Sequence, residues 1–332
     1  MTRKKFIIFI GILTLFLYLV ASDVNAQDVE RTYWGIIINP AIIHLELDPG
    51  EVYNGSLQLK NDFEHGNLVR YYPTSFNFRQ RGETGDPEFY YNEDLQIEFN
   101  SADWISFSET EYNINFGEGK QSHFEINVPE NAEPGGHYVA LVYTEEAGDD
   151  RDYVEVSKSI ASLLFIKVTG DENENGEIVD FKTDKTFYDF TPVNFSIRYK
   201  NTGNIHTQVG GNIFIHKGDI TKTVDTIKVN EDVNLVLPGS IREYFEEFNN
   251  GFITKDGNKF IFNWDQFPKM YFGKYTATLK LRHTVNNERV TTEESIEFWI
   301  IPWGLILIVV LILIFIIILY KRRRNRGARK YM

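Results

Sequence analysis

The most constraining feature of this 332-residue sequence is an apolar run near its C-terminus. The run extends from Phe298 to Tyr320 and contains no charged side chain over 23 residues. About 20 apolar residues in a helix span the ~30 Å hydrocarbon core of a bilayer, so the run predicts a transmembrane helix at 299–320. Trp299 and Trp303 stand near one end, where aromatic side chains favour the membrane interface. The alternative is a helix buried in a protein core.

A basic segment follows the apolar run directly. It begins with Lys321, Arg322, Arg323 and Arg324, and residues 321–332 hold seven Lys and Arg and no acidic residue. Positive charge beside a membrane helix stays on the cytoplasmic side. The sequence therefore predicts a basic cytoplasmic tail, a single membrane span, and an ectodomain outside the cytoplasm. So many adjacent basic residues disfavour a buried core helix.

The N-terminus has the three parts of a secretory signal peptide. A positive segment, Arg3–Lys5, precedes an uncharged apolar run, Phe6–Val20, and small residues stand at Val24 and Ala26. We therefore predict a signal peptide at 1–26 that is cleaved after Ala26. An uncleaved anchor helix is the alternative, although the apolar run is short for a membrane span.

The part of the chain that is predicted to be exported is strongly acidic. Without the signal peptide and the tail it has 24 Lys and Arg against 46 Asp and Glu, a formal charge of −22. Such a surface repels nucleic acids and other polyanions, so we expect no nucleic-acid partner. The sequence has no cysteine. Because secreted animal ectodomains usually carry disulfides, this composition favours a bacterial surface protein.

Short runs of alternating polar and apolar residues dominate the region between the two terminal segments. Such alternation predicts β-strands with one buried face, and Gly, Pro, Asn and Asp separate the runs. Short strands between turn signals are typical of immunoglobulin-like β-sandwiches. We therefore predict an all-β ectodomain. The clearest strands are at 57–60, 124–128, 138–142, 195–199 and 275–281.

An internal repeat indicates how many sandwiches there are. The segment 57–61 (LQLKN) resembles 197–201 (IRYKN), and 136–140 (GHYVA) resembles 273–277 (GKYTA). The two matches occur in the same order at near-equal offsets. The repeat therefore predicts two tandem domains.

The predicted domains are an immunoglobulin-like β-sandwich at 30–169 and a second one at 177–298. The polar segment 170–176 contains no apolar residue and is the predicted linker. The region 80–94, which contains two glycines and a proline, predicts an irregular loop. Because the second sandwich runs almost directly into the membrane helix, we expect it to lie against the membrane, with the first sandwich held outward.

The linker also matches the first half of a calcium-binding loop. Asp171, Asn173 and Asn175 provide oxygen ligands at alternate positions, and Gly176 follows them. The twelfth position of such a loop should carry a bidentate carboxylate, but here it is Lys182. A calcium site and a solvated acidic linker are therefore both open, and the cation favours the linker. The sequence predicts no other cofactor.

Aromatic residues suggest a binding surface for sugars. Tyr71 and Tyr72 are adjacent, as are Tyr90 and Tyr91, and Trp104 stands near a predicted strand start. A period of two turns one member of each pair outward, and exposed aromatic faces stack on sugar rings. These five residues are the predicted glycan-binding site. The alternative is that most of them fill the sandwich core.

The sequence lacks the common catalytic motifs. Seven His residues are scattered without metal-ligand spacing, and there is no nucleophile elbow, HExxH motif or phosphate-binding glycine loop. Carboxylates are so frequent that no glycosidase-type pair stands out. We therefore expect a protein that is not an enzyme, with a membrane-bound glycan hydrolase as the remaining alternative.

The order of signal peptide, two β-sandwiches, membrane helix and basic tail resembles the WxL-interacting proteins of Gram-positive bacteria. The segment from Leu45 to Asn61 is similar to that family's Leu-x-x-x-Pro-Gly motif and the Asn-ended strand after it, and 128–143 to its Pro-x-n-Gly-Gly strand. In the second domain, 236–245 and 273–275 resemble two further strands. The resemblance implies a first domain that binds peptidoglycan and a second that binds a partner or host protein.

These observations predict a non-catalytic, membrane-anchored cell-surface protein that binds cell-wall glycan or a secreted surface partner. A second hypothesis is a structural or assembly subunit whose domains pack against other subunits of a surface complex. The membrane-bound hydrolase is the third. The three differ in whether they require a sugar platform, a protein interface or clustered carboxylates.

Overall fold

A computed structural model describes residues 35–62, 68–90, 100–146, 158–218, 222–257, 259–267 and 269–328. The predicted signal peptide and Tyr91 lie outside the described residues. The described chain is mostly β, and one long helix follows the last strand. The predicted fold class is confirmed at this level.

Ten strands between residues 36 and 168 make up what we call the N-terminal strand group. They form two sheets, with the strand orders β1-β3-β8-β6 and β2-β10-β9-β4-β5, and β7 pairs with β4. The strands are β1 Ile36–Asn39, β2 Ile42–Leu47, β3 Val52–Asn61, β4 Val69–Arg81, β5 Asp86–Tyr90, β6 Ile105–Phe107, β7 Tyr112–Ile114, β8 Gly119–Asn127, β9 Gly135–Glu145 and β10 Ser159–Val168.

Twelve strands between residues 176 and 300 make up the C-terminal strand group. Its main sheets have the orders β11-β13-β18 and β12-β22-β21-β15-β16, beside the small pairs β14-β17 and β19-β20. The strands are β11 Gly176–Thr183, β12 Phe187–Tyr188, β13 Val193–Asn201, β14 Thr207–Gln208, β15 Gly210–Lys217, β16 Thr223–Val229, β17 Leu235–Val236, β18 Ile241–Phe248, β19 Ile253–Asp256, β20 Lys259–Phe262, β21 Gly273–Val285 and β22 Glu288–Ile300.

The buried apolar residues form a separate main core in each strand group. Alternation puts them there: Leu57 and Leu59 of β3 are buried, whereas Gln58 and Lys60 are exposed. The N-terminal core joins β3 and β8 of one sheet to β9 and β10 of the other, which is the layering of a β-sandwich. Each fully buried Leu or Ile in such a core stabilises the fold by about 1.5–3 kcal/mol.

Asn61 and Asn201, the last residues of the first sequence match, make the same hydrogen bonds. Both are fully buried. The Asn61 side-chain N–H donates to the Ile114 carbonyl at 3.0 Å, and that of Asn201 to the Val236 carbonyl at 2.8 Å. A glycine three residues beyond each acceptor donates its backbone N–H to the Asn carbonyl. Each Asn therefore ties the end of its strand to a turn, and this match is a structural repeat.

The second sequence match is one residue out of register. It equates Tyr138 with Tyr275, but Tyr275 lies in the C-terminal core, whereas Tyr138 faces away from the N-terminal core that its neighbour Val139 enters. Side chains alternate along a strand, so a shift of one residue exchanges the two faces. The matching positions are Gly135 and Gly273, the first residues of β9 and β21.

The α-helix α1 extends over Trp303–Ala328. In the part of the chain that the structure describes, it is the one helix long and apolar enough to cross a membrane, by length and composition. It begins later than the predicted residue 299, because Phe298 and Ile300 belong to β22 and are buried in the C-terminal core. Both a core strand and a membrane helix are apolar, so the sequence shows no boundary between them. Pro302 disfavours helix at the residue before it, and α1 starts directly after it.

The prediction of an irregular loop at 80–94 is wrong for the first half of this region. β4 continues to Arg81, a turn occupies 82–85, and β5 returns over Asp86–Tyr90 in register with β4. The glycines in this region make the turn, and both have positive φ. The result is a hairpin that extends beyond the N-terminal group.

Candidate functional site

The turn of the β4–β5 hairpin contacts the C-terminal strand group. The Glu83 carbonyl accepts the backbone N–H of Glu243 at 2.8 Å. The Arg198 guanidinium donates two hydrogen bonds to the Glu83 carboxylate, one from Nε at 2.7 Å, and this lowers the pKa of Glu83. The Gln80 side-chain N–H donates to the Ile241 carbonyl. A bidentate pair fixes orientation as well as distance, so the hairpin sets how the two groups meet here.

The predicted linker is the second connection, and it is an ordered strap. Asn204 joins three segments: its carbonyl accepts the Gly136 N–H at 2.8 Å, its side-chain oxygen accepts the Asn173 N–H at 2.7 Å, and its side-chain N–H donates to the Asp171 carbonyl at 2.9 Å. Glu174 accepts the hydroxyl hydrogens of two threonines of the C-terminal group. The strap is thus held to the C-terminal group through both backbone and side-chain hydrogen bonds.

The strap is a poor site for a calcium ion, because its oxygen atoms are already used in hydrogen bonds. The Asn175 side-chain oxygen accepts the Asn286 N–H at 3.1 Å, and the Asn173 carbonyl accepts the Asn204 N–H. Lys182, at the twelfth position, pairs with Asp180 at 2.8 Å. Within the described ranges, no three His, Cys, Asp or Glu side chains are grouped so that they could hold a metal ion.

Between the strap and the hairpin lies an open space of about 530 Å³ that we call the interface cleft. Its base continues a small apolar cluster in which Phe78, Val142 and Phe165 pack with Leu237 of the C-terminal group. Ile42 of β2 lines it and is 52% exposed. β2 is the outer strand of its sheet. The charged side chains around the cleft are Arg79, Glu174, Asp232 and Arg242.

Two histidines lie in this cleft and belong to different strand groups. The rings of His44 and His206 are 5.8 Å apart, and His44 stacks on Phe165 at 5.0 Å. The Tyr138 hydroxyl and His206 Nδ1 are hydrogen-bonded at 3.3 Å. Burial, with the nearby His44, lowers the pKa of His206 to about 4. His206 is therefore neutral at pH 7, and the cleft does not oppose apolar ligands with a buried cation.

Two of the five residues of the predicted aromatic platform lie in the core, and Tyr91 lies outside the described residues. Tyr71 is 0% and Trp104 is 6% exposed, and both belong to the N-terminal core. The Tyr72 hydroxyl donates to Glu146 at 3.1 Å. Tyr90 is half-buried at the end of β5, with Arg79 over its ring at 5.7 Å. Tyr72 faces away from Tyr71, as the alternation predicts. Tyr71 and Trp104, however, fill space in the core with their large rings.

A buried Ser–His pair lies under Trp104. Ser101 Oγ donates to His137 Nδ1 at 2.8 Å, and His137 Nε2 donates to the Glu133 carbonyl at 2.8 Å. Trp104 covers the His137 ring at 4.6 Å between centroids, and Ser101 is buried. Burial lowers the pKa of His137. Among the described residues, the partner of His137 Nε2 is a backbone carbonyl and not the carboxylate that orients the base in a catalytic triad. The hydrogen bonds of the pair hold the 3₁₀ turn Ser101–Trp104 against β9.

No protein-family model matches this chain, and no curated protein matches it. Among solved structures, the class 5 fimbriae chaperone CfaA is similar, with 11% identity and a TM-score of 0.36, over 79% of this chain and 98% of that chain. The E. coli chaperone DraB has 9% identity and a TM-score of 0.34, over 79% and 99% of the two chains. The Pseudomonas aeruginosa CupB2 chaperone has 11% identity and a TM-score of 0.34, over 78% and 100%. These likenesses concern the arrangement of strands.

The prediction that this protein binds cell-wall glycan is wrong. Tyr71 and Trp104, two of the aromatic residues that should form its sugar platform, are buried in the N-terminal core. Glycan is therefore also removed as a partner, while a protein partner is compatible with these findings. The resemblance to WxL-interacting proteins stays a prediction.

The functional features that sequence reasoning missed are the docking hairpin and the interface cleft. Both depend on contacts between residues far apart in the chain, such as Glu83 with Arg198. The two glycines of the turn were a usable signal, since a pair spaced this way between strand-like segments indicates a hairpin. No sequence pattern indicates where such a hairpin docks.

Proposed function

We propose that this protein is a non-catalytic assembly component, anchored in a membrane, that binds a segment of a partner protein in the interface cleft. The observation that carries this proposal is the cleft itself. It has an apolar base and a charged rim, the usual composition of a protein-binding site.

The cleft walls are held by several independent contacts. The Glu83–Arg198 pair fixes one side, and Asn204 fixes the other through the strap. A site that keeps its shape before binding loses less conformational entropy when it binds. The outer strand β2 adds a further means of recognition, because an extended segment can pair with the free edge of an outer strand.

A crosslinker placed in the cleft tests this proposal. A photo-reactive amino acid at Ile42 should give one discrete adduct with a partner protein in cells, because Ile42 is half exposed inside the cleft. Ile37 provides the matched control, since it is also an exposed isoleucine but lies on β1, in the other sheet of the same group. Equal adducts at both positions, or none at either, would contradict the proposal.

We further propose that the two strand groups are separate domains. Their main cores share no residue, and Asn61 and Asn201 repeat the same hydrogen bonds in each. Residues 27–170 expressed alone should unfold in one cooperative transition with native-like β-sheet circular dichroism. A non-cooperative melt of this fragment would count against the division.

We propose finally that α1 crosses the membrane once, with both strand groups outside and the basic tail in the cytoplasm. The support is the length and apolar composition of Trp303–Lys321 and the seven basic residues after Tyr320. Because the chain has no cysteine, a single introduced cysteine reports its own location. On intact cells a membrane-impermeant maleimide should label Thr291→Cys and leave Tyr331→Cys unlabelled, and the reverse pattern would refute this topology.

A further inference from the structure

The connection between β18 and β21 carries a large exposed aromatic surface. We call its part from Ile253 to Phe272 the aromatic segment; it contains β19, β20 and the 3₁₀ turn Trp264–Gln266. Connections this long usually have a function of their own. Its large exposed side chains are Phe260, Ile261, Phe262, Trp264, Phe267, Met270 and Phe272.

The aromatic segment is attached to the C-terminal group through β19, but β20 is exposed. Thr254 of β19 bridges Thr191, and the Lys255 N–H donates to the Thr191 carbonyl at 2.8 Å. β20 pairs with β19, and all four of its residues are exposed. A strand of a soluble protein normally buries one of its two faces. Here three large apolar residues in succession, from Phe260 to Phe262, have neither face buried, which indicates that something other than water covers them.

The exposed rings are held in place and do not extend freely. Phe252 contacts three of them, with centroid distances of 5.9 Å to Phe262, 5.3 Å to Trp264 and 5.1 Å to Phe267. Trp264 is nevertheless 74% exposed and Phe267 is 64% exposed. A fixed arrangement of exposed aromatic side chains is typical of a binding surface.

The position of this surface beside α1 identifies what covers it. Met270 and Phe272 line the same apolar cavity of about 410 Å³ as Leu305 and Val310 of the helix. Val310 lies seven residues after the start of α1, which is about 10 Å along the helix axis. Apolar groups that lie on a membrane enter it by a similar depth, about 5–10 Å. The cavity is therefore at the depth of the lipid interface if α1 spans the membrane.

The local charge also fits a lipid surface. The aromatic segment contains three Lys and two Asp, whereas the exported part of the chain as a whole has a formal charge of −22. Anionic headgroups repel acidic surfaces and attract lysines. The segment is thus one part of an acidic protein that can approach a membrane.

We propose that the aromatic segment lies in the outer lipid interface, with Trp264 and Phe267 among the acyl chains next to the headgroups and a lipid chain in the cavity beside α1. This inference rests on the proposed membrane anchoring. It assigns the C-terminal strand group a second attachment to the bilayer, which fixes the tilt of the protein and so the direction in which the interface cleft points.

Spin labels on single cysteines test the proposal in the full-length protein. The chain has no cysteine of its own. Labels at Trp264→Cys, Leu311→Cys and Thr291→Cys are compared in nanodiscs of phosphatidylcholine and phosphatidylglycerol, by their access to oxygen and to a water-soluble nickel complex. Leu311 is near the middle of the apolar part of α1, Trp303–Lys321. Thr291 is exposed on β22, nine residues or about 30 Å from the end of that strand.

We expect the label at residue 264 to lose access to nickel and gain access to oxygen relative to residue 291. If residues 264 and 291 behave alike while 311 is in lipid, the anchoring stands and the proposed lipid contact is wrong. If 311 also behaves like 291, the anchoring itself fails. Loss of access to both reagents at 264 would show that protein covers the surface, a second copy or a partner, and would overturn the proposal.

Discussion

At the scale of single residues, buried polar side chains define this fold as much as its apolar core does. Asn201 is fully buried and donates to two carbonyls, those of Ile205 and Val236, at 2.8 Å each. Asn and Asp usually indicate turns and surface positions. Here an Asn at the end of a strand is buried, and its side chain hydrogen-bonds to the backbone of a turn. The sequence repeat singled out this residue type at this place, although it could not reveal the two acceptors.

Replacing Asn201 by alanine should destabilise the C-terminal strand group. The change leaves two buried carbonyls without this donor, and an unsatisfied buried polar group costs about 1–3 kcal/mol. Denaturant unfolding measures the loss. Asn194→Ala is the matched control, because Asn194 is on the same strand with an exposed side chain and should change stability by less than about 0.5 kcal/mol. Equal losses for the two variants would refute this role.

His206 should make stability depend on pH. An unfolded His206 takes up a proton below pH 6.5, whereas the folded one stays neutral to about pH 4. The free energy of unfolding therefore falls by up to about 3 kcal/mol as pH falls from 6.5 to 4. Above pH 6.5 this histidine does not change it. His206→Gln should flatten the pH dependence of the free energy of unfolding in this window.

The control for this prediction is His123→Gln, which alters a histidine exposed on β8. It should leave the pH dependence as it is in the unaltered protein. If His206→Gln leaves the slope of the free energy of unfolding against pH unchanged, His206 is not neutral in the folded protein at acid pH and the prediction is wrong.

At the scale of elements, alternation predicted strands well and predicted their contacts poorly. The runs at 57–60, 124–128 and 275–281 became β3, β8 and β21, because a one-sided buried strand carries its own pattern. The β4–β5 hairpin is polar at its turn, so its sequence predicts a loop. The sequence predicts too early a start for α1, because the apolar core positions of β22 are continuous with the apolar helix.

Gly85 should contribute to the docking of the β4–β5 hairpin, because a side chain there displaces the Arg242 guanidinium. It has φ +86°, and a Cβ there would lie 2.2 Å from the Arg242 guanidinium carbon. Gly82 also has positive φ, but nothing lies within 4 Å of its Cβ position. Gly82→Ala should thus cost only the backbone strain of about 1–2 kcal/mol, and Gly85→Ala should cost more and loosen the hairpin. Thermal unfolding together with amide hydrogen exchange at β18 measures both effects.

A Gly85→Ala protein that is as stable as Gly82→Ala, with unchanged exchange at β18, would contradict the docking of the turn on the C-terminal group.

At the scale of the whole molecule, the structure joins two strand groups, a membrane-type helix and a cleft between the groups. The sequence indicated the helix and the repeat, because each is a local pattern of a few tens of residues. The cleft arises from Glu83, Arg198, Asn204 and His206 meeting across long stretches of chain, and no local pattern encodes that meeting. The aromatic residues are a second example, because composition does not show whether an aromatic side chain is buried in the core or exposed on a binding surface.

The central claim is that the interface cleft holds a partner protein, and native electrophoresis of solubilised membranes tests it most directly. The unaltered protein should migrate in a large complex. Ile42→Arg places a charge on the apolar lining of the cleft and should release the protein as a smaller species, whereas Ile37→Arg, the same change at an exposed position on the other sheet, should keep the complex. A complex that survives Ile42→Arg, or an unaltered protein that migrates alone, would contradict the claim.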